Sequence, residues 1–286
     1  MALLDAELLA LLETASALAR KRGTGGEVAG ARKGILRGGN EEFADYRPYT
    51  PGDDFRRIDW KPFLRSGELL VKVFARSTSG TVHVVLDTSA SMAEPERKRV
   101  FALRLAASVG YFALCCSDRL RISTLPESGG GTLGPLDGKH TVVRLLDFLE
   151  GLTFAGTANL ADSIAKTASV VPGRHDLVLI SDFWDDGDFC RPLSPIAERG
   201  SNITAVQVMD PDEYAPTAGG LVRLEDSETA STVLGYAGPA AVERYRELYA
   251  AKFEDLRARL AALRIPLHPA RTDESIKDAV IRVATG

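Results

Sequence analysis

The chain has 286 residues, 45% of them hydrophobic and 26% charged, so it is long enough to bury a full core. Its net charge of −4 gives no global electrostatic attraction for nucleic acid or an anionic membrane. No stretch has the composition of a membrane span, and the N-terminus lacks the pattern of a signal peptide. The three cysteines have neither metal-binding nor disulfide spacing, which fits a reducing compartment. We therefore expect a cytoplasmic protein without a membrane span or a nucleic-acid partner.

The first 80 residues lack the regular alternation of strands and helices that is predicted for the rest of the chain. Apolar residues recur near helical spacing over residues 3–22, which predicts an amphipathic helix. A segment at 42–60 is rich in Arg, Asp and aromatic residues, and residues 68–74 have the composition of a strand. We predict that residues 1–80 form an N-terminal helix and a small strand-containing segment.

From residue 81 onwards, predicted strands alternate with predicted helices. Residues 128–139 are predicted as a turn-rich excursion, and a hairpin insertion is predicted near 215–236. The alternation predicts an α/β fold, a doubly wound and mostly parallel sheet with helices on both faces, over residues 81–286. The predicted strands are 81–86, 119–124, 177–181, 203–209 and 266–270. The predicted helices are 95–116, 141–152, 159–170, 192–199, 240–263 and 274–283.

Five oxygen-bearing side chains lie near the ends of two predicted strands. Asp87, Ser89 and Ser91 directly follow one apolar strand, Asp182 closes another, and Thr157 precedes a helix. Ligands of open parallel sheets bind at the carboxyl ends of the strands. Carboxylates and hydroxyls are the oxygen ligands that Mg²⁺ or Mn²⁺ prefers. Each residue alone also fits a helix cap or a turn, but the ordered set favours a metal site.

These motifs resemble the metal-ion-dependent adhesion site of von Willebrand factor A domains. The resemblance covers about residues 80–210 and implies that the three hydroxyls are oxygen ligands near the ion. It implies that the two carboxylates bind the ion directly or hold coordinated waters. Many such domains have Gly after the last Asp, whereas this chain has Phe183 and Trp184. We expect that bulky pair to narrow the approach to the site.

The segment at 42–60 carries a second resemblance. Pro51 and Gly52 fit the centre of a type II turn, and the interleaved charges and aromatic rings predict a packed ion-pair network. An alternative makes Arg56 or Arg57 a receptor for phosphate or carboxylate. The segment resembles the hallmark of the DUF-58 family, in which a von Willebrand A-like domain follows it. That resemblance implies a MoxR-type AAA+ ATPase as the partner and the metal-site domain as an adaptor.

The expected function is therefore a non-catalytic, divalent-cation-dependent protein-interaction module. In this hypothesis a partner protein supplies an Asp or Glu to the open coordination position of the ion. The sequence has no phosphate-binding Gly-x4-Gly-Lys-Ser/Thr loop and no Gly-x-Ser-x-Gly nucleophile motif. One alternative is a metal-dependent hydrolase that acts on phosphate esters with the same acidic rim. Another is a purely structural site, in which the hydroxyls satisfy one another and no ion binds.

Overall fold

The computed structural model describes residues 3–24, 41–50, 58–59, 68–76, 80–116, 118–170, 173–185, 187–216, 219–225 and 231–285. Helices α1 to α8 span Ala6–Thr24, Glu96–Cys115, Val142–Glu150, Leu160–Val170, Cys190–Glu198, Pro211–Tyr214, Pro239–Ala262 and Ile276–Thr285. Strands β1 to β11 span Glu41–Pro48, Ile58–Asp59, Leu70–Arg76, Thr81–Asp87, Arg119–Leu125, Thr132–Asp137, Asp176–Ser181, Asn202–Met209, Gly220–Glu225, Thr232–Ala237 and Leu267–Arg271.

A six-stranded sheet forms the centre of the molecule. Its strand order is β11-β8-β7-β4-β5-β6, and every neighbouring pair is parallel except β5 with β6. Successive strand side chains point to opposite faces, so Val84 and Leu86 enter one apolar core and Val85 enters the other. Helices α1, α2, α3 and α8 contribute to the first core, and α4, α5 and α7 to the second. The predicted doubly wound, mostly parallel α/β architecture is confirmed.

The turn-rich excursion at 128–139 contains a strand that the prediction missed. Residues Thr132–Asp137 form β6, which pairs antiparallel with β5 at the edge of the sheet. Gly134 and Pro135 interrupt its pattern, and Gly134 has a left-handed φ of 109°. An edge strand tolerates proline and local irregularity because one side of its backbone needs no partner strand. The turn residues Gly134 and Pro135 therefore made β6 look like a loop in the sequence.

The N-terminal helix packs on the main sheet domain. Leu8 and Leu12 of α1 are fully buried in the core that α2 also lines. Polar contacts also join α1 and the residue before it to α2. The Tyr111 hydroxyl donates to Glu13 Oε1 at 2.9 Å, and the Arg104 guanidinium donates to Asp5 at 2.5 Å. The helix predicted at 3–22 is thus present and anchored. None of the helices in the described ranges combines the length and hydrophobicity needed to cross a bilayer.

Two smaller sheets accompany the six-stranded one. Strand β3 pairs antiparallel with β1 and β2, which places residues 42–48 and 58–59 of the 42–60 segment in a three-stranded sheet. The turn predicted at Pro51 and Gly52, and the receptor role considered for Arg56 or Arg57, lie outside the described residues. Strands β9 and β10 form the hairpin predicted near 215–236.

Candidate metal centre

The first part of the site is the loop that follows β4. Strand β4 ends at Asp87 between the parallel neighbours β5 and β7, and a 3₁₀ turn at Ala90–Met92 leads towards α2. Asp87 is buried, and its Oδ1 accepts a hydrogen bond of 2.9 Å from the backbone N–H of Ser89. Its Oδ2 accepts one of 2.6 Å from the hydroxyl of Ser181, at the end of β7. The carboxylate is therefore oriented by its own loop and by the neighbouring strand.

The two serine hydroxyls of this loop have a spacing that suits a small divalent ion. Ser89 Oγ and Ser91 Oγ are 3.0 Å apart. Octahedral Mg²⁺ holds its oxygens at about 2.1 Å, so two adjacent ligands lie about 3.0 Å from each other. The same distance allows a hydrogen bond between the two hydroxyls, as the purely structural alternative requires. The pair fits an ion without rearrangement.

Asp182 lies on the adjacent strand end and is also buried. Its Oδ2 accepts a hydrogen bond of 2.8 Å from the ammonium of Lys98, and its Oδ1 accepts one of 3.1 Å from the N–H of Trp184. Its backbone carbonyl accepts a third, of 3.0 Å, from the side-chain amide of Gln207 on β8. Because Lys98 also donates to the backbone carbonyl of Ser91 at 3.0 Å, it joins the two strand ends.

Thr157 lies in a loop that is attached to the same edge of the sheet. The N–H of Ala90 donates to the carbonyl of Gly156 at 2.9 Å, and the N–H of Ala155 donates to the carbonyl of Thr88 at the same distance. The Thr157 side chain itself is exposed, and no hydrogen bond joins it to the other four predicted ligands. The structure thus joins Asp87, Ser89 and Ser91 within one loop, links Asp182 to that loop through Lys98, and places Thr157 on the adjoining loop.

The electrostatics of the site favour a cation. Burial, followed by the nearby charge of Asp182, raises the pKa of Asp87 to about 7. Two buried carboxylates repel each other, and a cation beside them would favour the ionised form of Asp87. The described residues contain no group of three or more His, Cys, Asp or Glu that could hold a metal. The donors here are two carboxylates and hydroxyls, a set for Mg²⁺ or Mn²⁺ and not for a softer ion.

Lys98 and Glu213 are site residues that the sequence analysis missed. The Lys98 ammonium is fully buried and contacts Glu213 Oε1 at 2.5 Å. The sequence contains one signal for Lys98, because Lys98, Ala102 and Leu105 have the spacing of one helix face. In the structure all three residues are buried. The position of Lys98 among three consecutive basic residues concealed that signal. Glu213 lies 115 residues away in the chain, and no local pattern connects it to the site.

Phe183 occupies a backbone position that suits glycine. Its φ is 57°, in the left-handed region that residues with a Cβ seldom adopt. The ring is buried in the core and packs against Phe189, with 5.6 Å between ring centroids. Burial of the ring in the core offsets the backbone strain.

The neighbouring Trp184 forms part of an aromatic wall beside the site. Its ring meets the edge of Tyr249 at 5.1 Å between centroids, and the Lys252 ammonium lies 4.6 Å from its centroid. The Tyr249 hydroxyl is buried and has no hydrogen-bond partner among the described residues, and neither does Gln207 Oε1. Both atoms belong to residues that line one small recess with Phe183. Both members of the bulky pair that follows Asp182 therefore line this recess.

Comparison with known proteins identifies the family. The family described as protein of unknown function DUF58 matches residues 45–258. The chain belongs to the DUF58 family. Uncharacterized proteins of Mycobacterium tuberculosis and Mycobacterium bovis are each 27% identical to it over 302 residues, which covers 97% of this chain and 89% of theirs.

Solved structures with a similar fold share little sequence with the chain. They include the conserved hypothetical protein BatB from Bacteroides thetaiotaomicron, at 14% identity and a TM-score of 0.41, covering 73% of this chain and 100% of that one. An aerotolerance-related membrane protein from Bacteroides fragilis has 16% identity and a TM-score of 0.43, with coverages of 72% and 96%. A von Willebrand factor type A protein from Catenulispora acidiphila has 12% identity and a TM-score of 0.41, with coverages of 73% and 44%.

Proposed function

We propose that this DUF58 protein is a non-catalytic interaction module whose binding to a partner protein depends on a divalent cation. The observation that carries the proposal is the position of Asp87, Ser89, Ser91 and Asp182 at the carboxyl ends of the parallel strands β4 and β7, where Lys98 joins the Ser91 carbonyl to Asp182. Mg²⁺ or Mn²⁺ would be held by these side chains and by Thr157 from the adjoining loop. When bound, the ion supplies an electrophilic position that accepts a carboxylate from outside the chain.

Each residue of the site has a separate role in this proposal. Ser89 and Ser91 present hydroxyl oxygens at the spacing of adjacent ligands, 3.0 Å. Asp87 supplies negative charge, held in place by the Ser181 hydroxyl. Trp184, whose N–H donates to Asp182 Oδ1, would pack against an incoming segment. A partner Asp or Glu would complete the shell, which makes association metal-dependent and selective for an acidic residue.

The kind of partner follows from the family resemblance. We propose a MoxR-type AAA+ ATPase with a chaperone-like role, for which this protein acts as an adaptor or cofactor. Binding would be measured by surface plasmon resonance between the purified proteins in Mg²⁺ and in EDTA. Association that is equal in both buffers would refute the metal dependence. Absence of association in both would refute this choice of partner.

The metal site itself is tested by titration calorimetry with Mg²⁺ and Mn²⁺. Asp87→Asn should abolish ion binding because it removes the central charge with little change of shape. Asp118→Asn is the matched control, since Asp118 is a buried carboxylate beside the opposite end of the sheet, where it accepts from the N–H of Gly80 at 2.8 Å. Equal affinity of the wild type and Asp87→Asn would refute the proposed site.

The competing hydrolase hypothesis predicts turnover, which the interaction hypothesis does not. Generic phosphate monoesters and diesters would be incubated with the protein in Mg²⁺ or Mn²⁺. Hydrolysis that Asp87→Asn abolishes and Asp118→Asn retains would establish the hydrolase instead. No turnover, together with calorimetric ion binding, supports the interaction module.

A further inference from the structure

Lys98 is a cation built into the candidate metal centre. It lies in the first turn of α2, and its side chain is fully buried. The ammonium has three donors, and all three are used: on Asp182 Oδ2 at 2.8 Å, on Glu213 Oε1 at 2.5 Å and on the Ser91 carbonyl at 3.0 Å. Two of these contacts are to residues with a proposed role in ion binding.

The surroundings hold the ammonium in this position. Glu213 Oε2 accepts a hydrogen bond of 3.2 Å from the N–H of Asp210, and this bond orients the carboxylate so that Oε1 faces Lys98. Asp210 caps α6 and is itself bonded through both oxygens by the Arg97 guanidinium, at 2.5 and 2.7 Å. The carboxylate that receives Lys98 is therefore pre-organised by a short capped helix. Three fixed acceptors therefore hold the Lys98 ammonium at the site.

We propose that Lys98 is a resident counter-cation, which neutralises Asp182 when no divalent ion is bound and competes with that ion for the same carboxylate. The inference rests on the proposed function, because it concerns the regulation of the same site. A bound ion would share Asp182 with a positive charge already in contact with it, and like charges disfavour each other strongly in a buried site. Lys98 thus weakens ion binding and allows the ion-free protein to bury two carboxylates.

The test compares ion affinity with and without the ammonium. Lys98→Met alone would leave Glu213 buried and unpaired, so the informative variant is the double substitution Lys98→Met with Glu213→Gln. Glu213→Gln alone is its reference because that variant retains Lys98. Arg99→Met is the matched charge control, since it removes a cation from the next position of α2, where the side chain is 42% exposed and pairs with Glu96.

Titration calorimetry with Mg²⁺ and Mn²⁺ gives the affinity, and thermal melts in EDTA and in Mg²⁺ give an independent readout. The double variant should bind the ion about 10- to 100-fold more tightly than Glu213→Gln, the range in which one neighbouring charge shifts an ionic equilibrium. It should also have the lower melting temperature in EDTA and the larger increase on addition of Mg²⁺. Arg99→Met should bind like the wild type.

Each combination of results has one meaning. A wild type that binds the ion while the double variant binds no more tightly than Glu213→Gln leaves the proposed function intact and overturns the role of Lys98. Ion binding by the double variant alone supports the role of Lys98 and refutes metal dependence of the wild type. No ion binding by any variant overturns both proposals.

Discussion

Gly129 occupies a position where a single methyl group should disturb the loop that carries the candidate metal centre. A Cβ at this position would lie 2.0 Å from Thr88 Oγ1, 2.9 Å from Thr88 Cβ and 3.0 Å from the Thr153 carbonyl oxygen. Thr88 cannot retreat easily because it is fully buried and its N–H and hydroxyl both donate to the Leu125 carbonyl, at 2.6 and 3.2 Å. Gly129 has no left-handed φ, so the effect of Gly129→Ala is purely steric.

The size of the effect follows from these contacts. Overpacking costs about 1–3 kcal/mol, and loss of the Thr88 hydroxyl bond adds about 1 kcal/mol. We therefore expect Gly129→Ala to lower the free energy of unfolding by about 2–4 kcal/mol in urea denaturation with EDTA present. Gly235→Ala is the control, because nothing lies within 4 Å of its added Cβ.

A second substitution separates the clash from any general sensitivity of this loop. Thr88→Ala removes the hydroxyl that the new methyl group would meet, so combining it with Gly129→Ala should cost less than the sum of the two single changes. If Gly129→Ala proved as stable as Gly235→Ala, the packing described around Thr88 would be wrong.

Three further predictions concern other parts of the fold. Burial lowers the pKa of His83 to about 3, so between pH 6.5 and 3 the unfolded state holds an extra proton and the unfolding free energy falls by about 1.4 kcal/mol per pH unit on acidification. His83→Gln should remove that contribution, and denaturation curves with the same pH slope for the variant and the wild type would contradict it. Asp210→Ala should cost about 2–3 kcal/mol through loss of the helix cap and of a charge-assisted bond. Arg97→Ala should cost clearly less than Asp210→Ala, because Arg97 is 49% exposed; equal costs in urea would refute this asymmetry. Leu8→Ala should cost about 2–4 kcal/mol because Leu8 is fully buried, and Leu18→Ala, at 54% exposure, should change thermal stability little; similar melting temperatures for the two variants would exclude docking of α1.

The sequence predicts the strand ends correctly where an apolar run stops at a polar residue. Strand β4 ends at Asp87 and β7 at Ser181, and both ends were located because the hydrophobic pattern stops there. Parallel pairing then brings the two ends to one edge of the sheet without further information. Strand β6 was missed because Gly134 and Pro135 have turn chemistry, and only the edge position makes them acceptable in a strand.

The missing parts of the site are long-range contacts. The ion pair of Lys98 with Glu213 joins residues 115 positions apart, and its geometry depends on how the α6 turn meets the start of α2. Hydrophobic periodicity shows which face of α2 is buried, but it does not show what balances a charge on that face. The exposed Thr157 side chain illustrates the opposite limit. A motif places its loop beside the site, but it does not determine the side-chain rotamer.

The two carboxylates of the site are stabilised by different kinds of partner. Asp87 accepts hydrogen bonds from neutral donors, the N–H of Ser89 and the hydroxyl of Ser181, whereas Asp182 is in contact with the ammonium of Lys98. Neutral donors compensate a buried charge only in part, which is why burial still raises the pKa of Asp87. In the proposed site, a divalent ion would compete with Lys98 at Asp182 but not at Asp87, so the two strand ends would contribute unequally to ion binding.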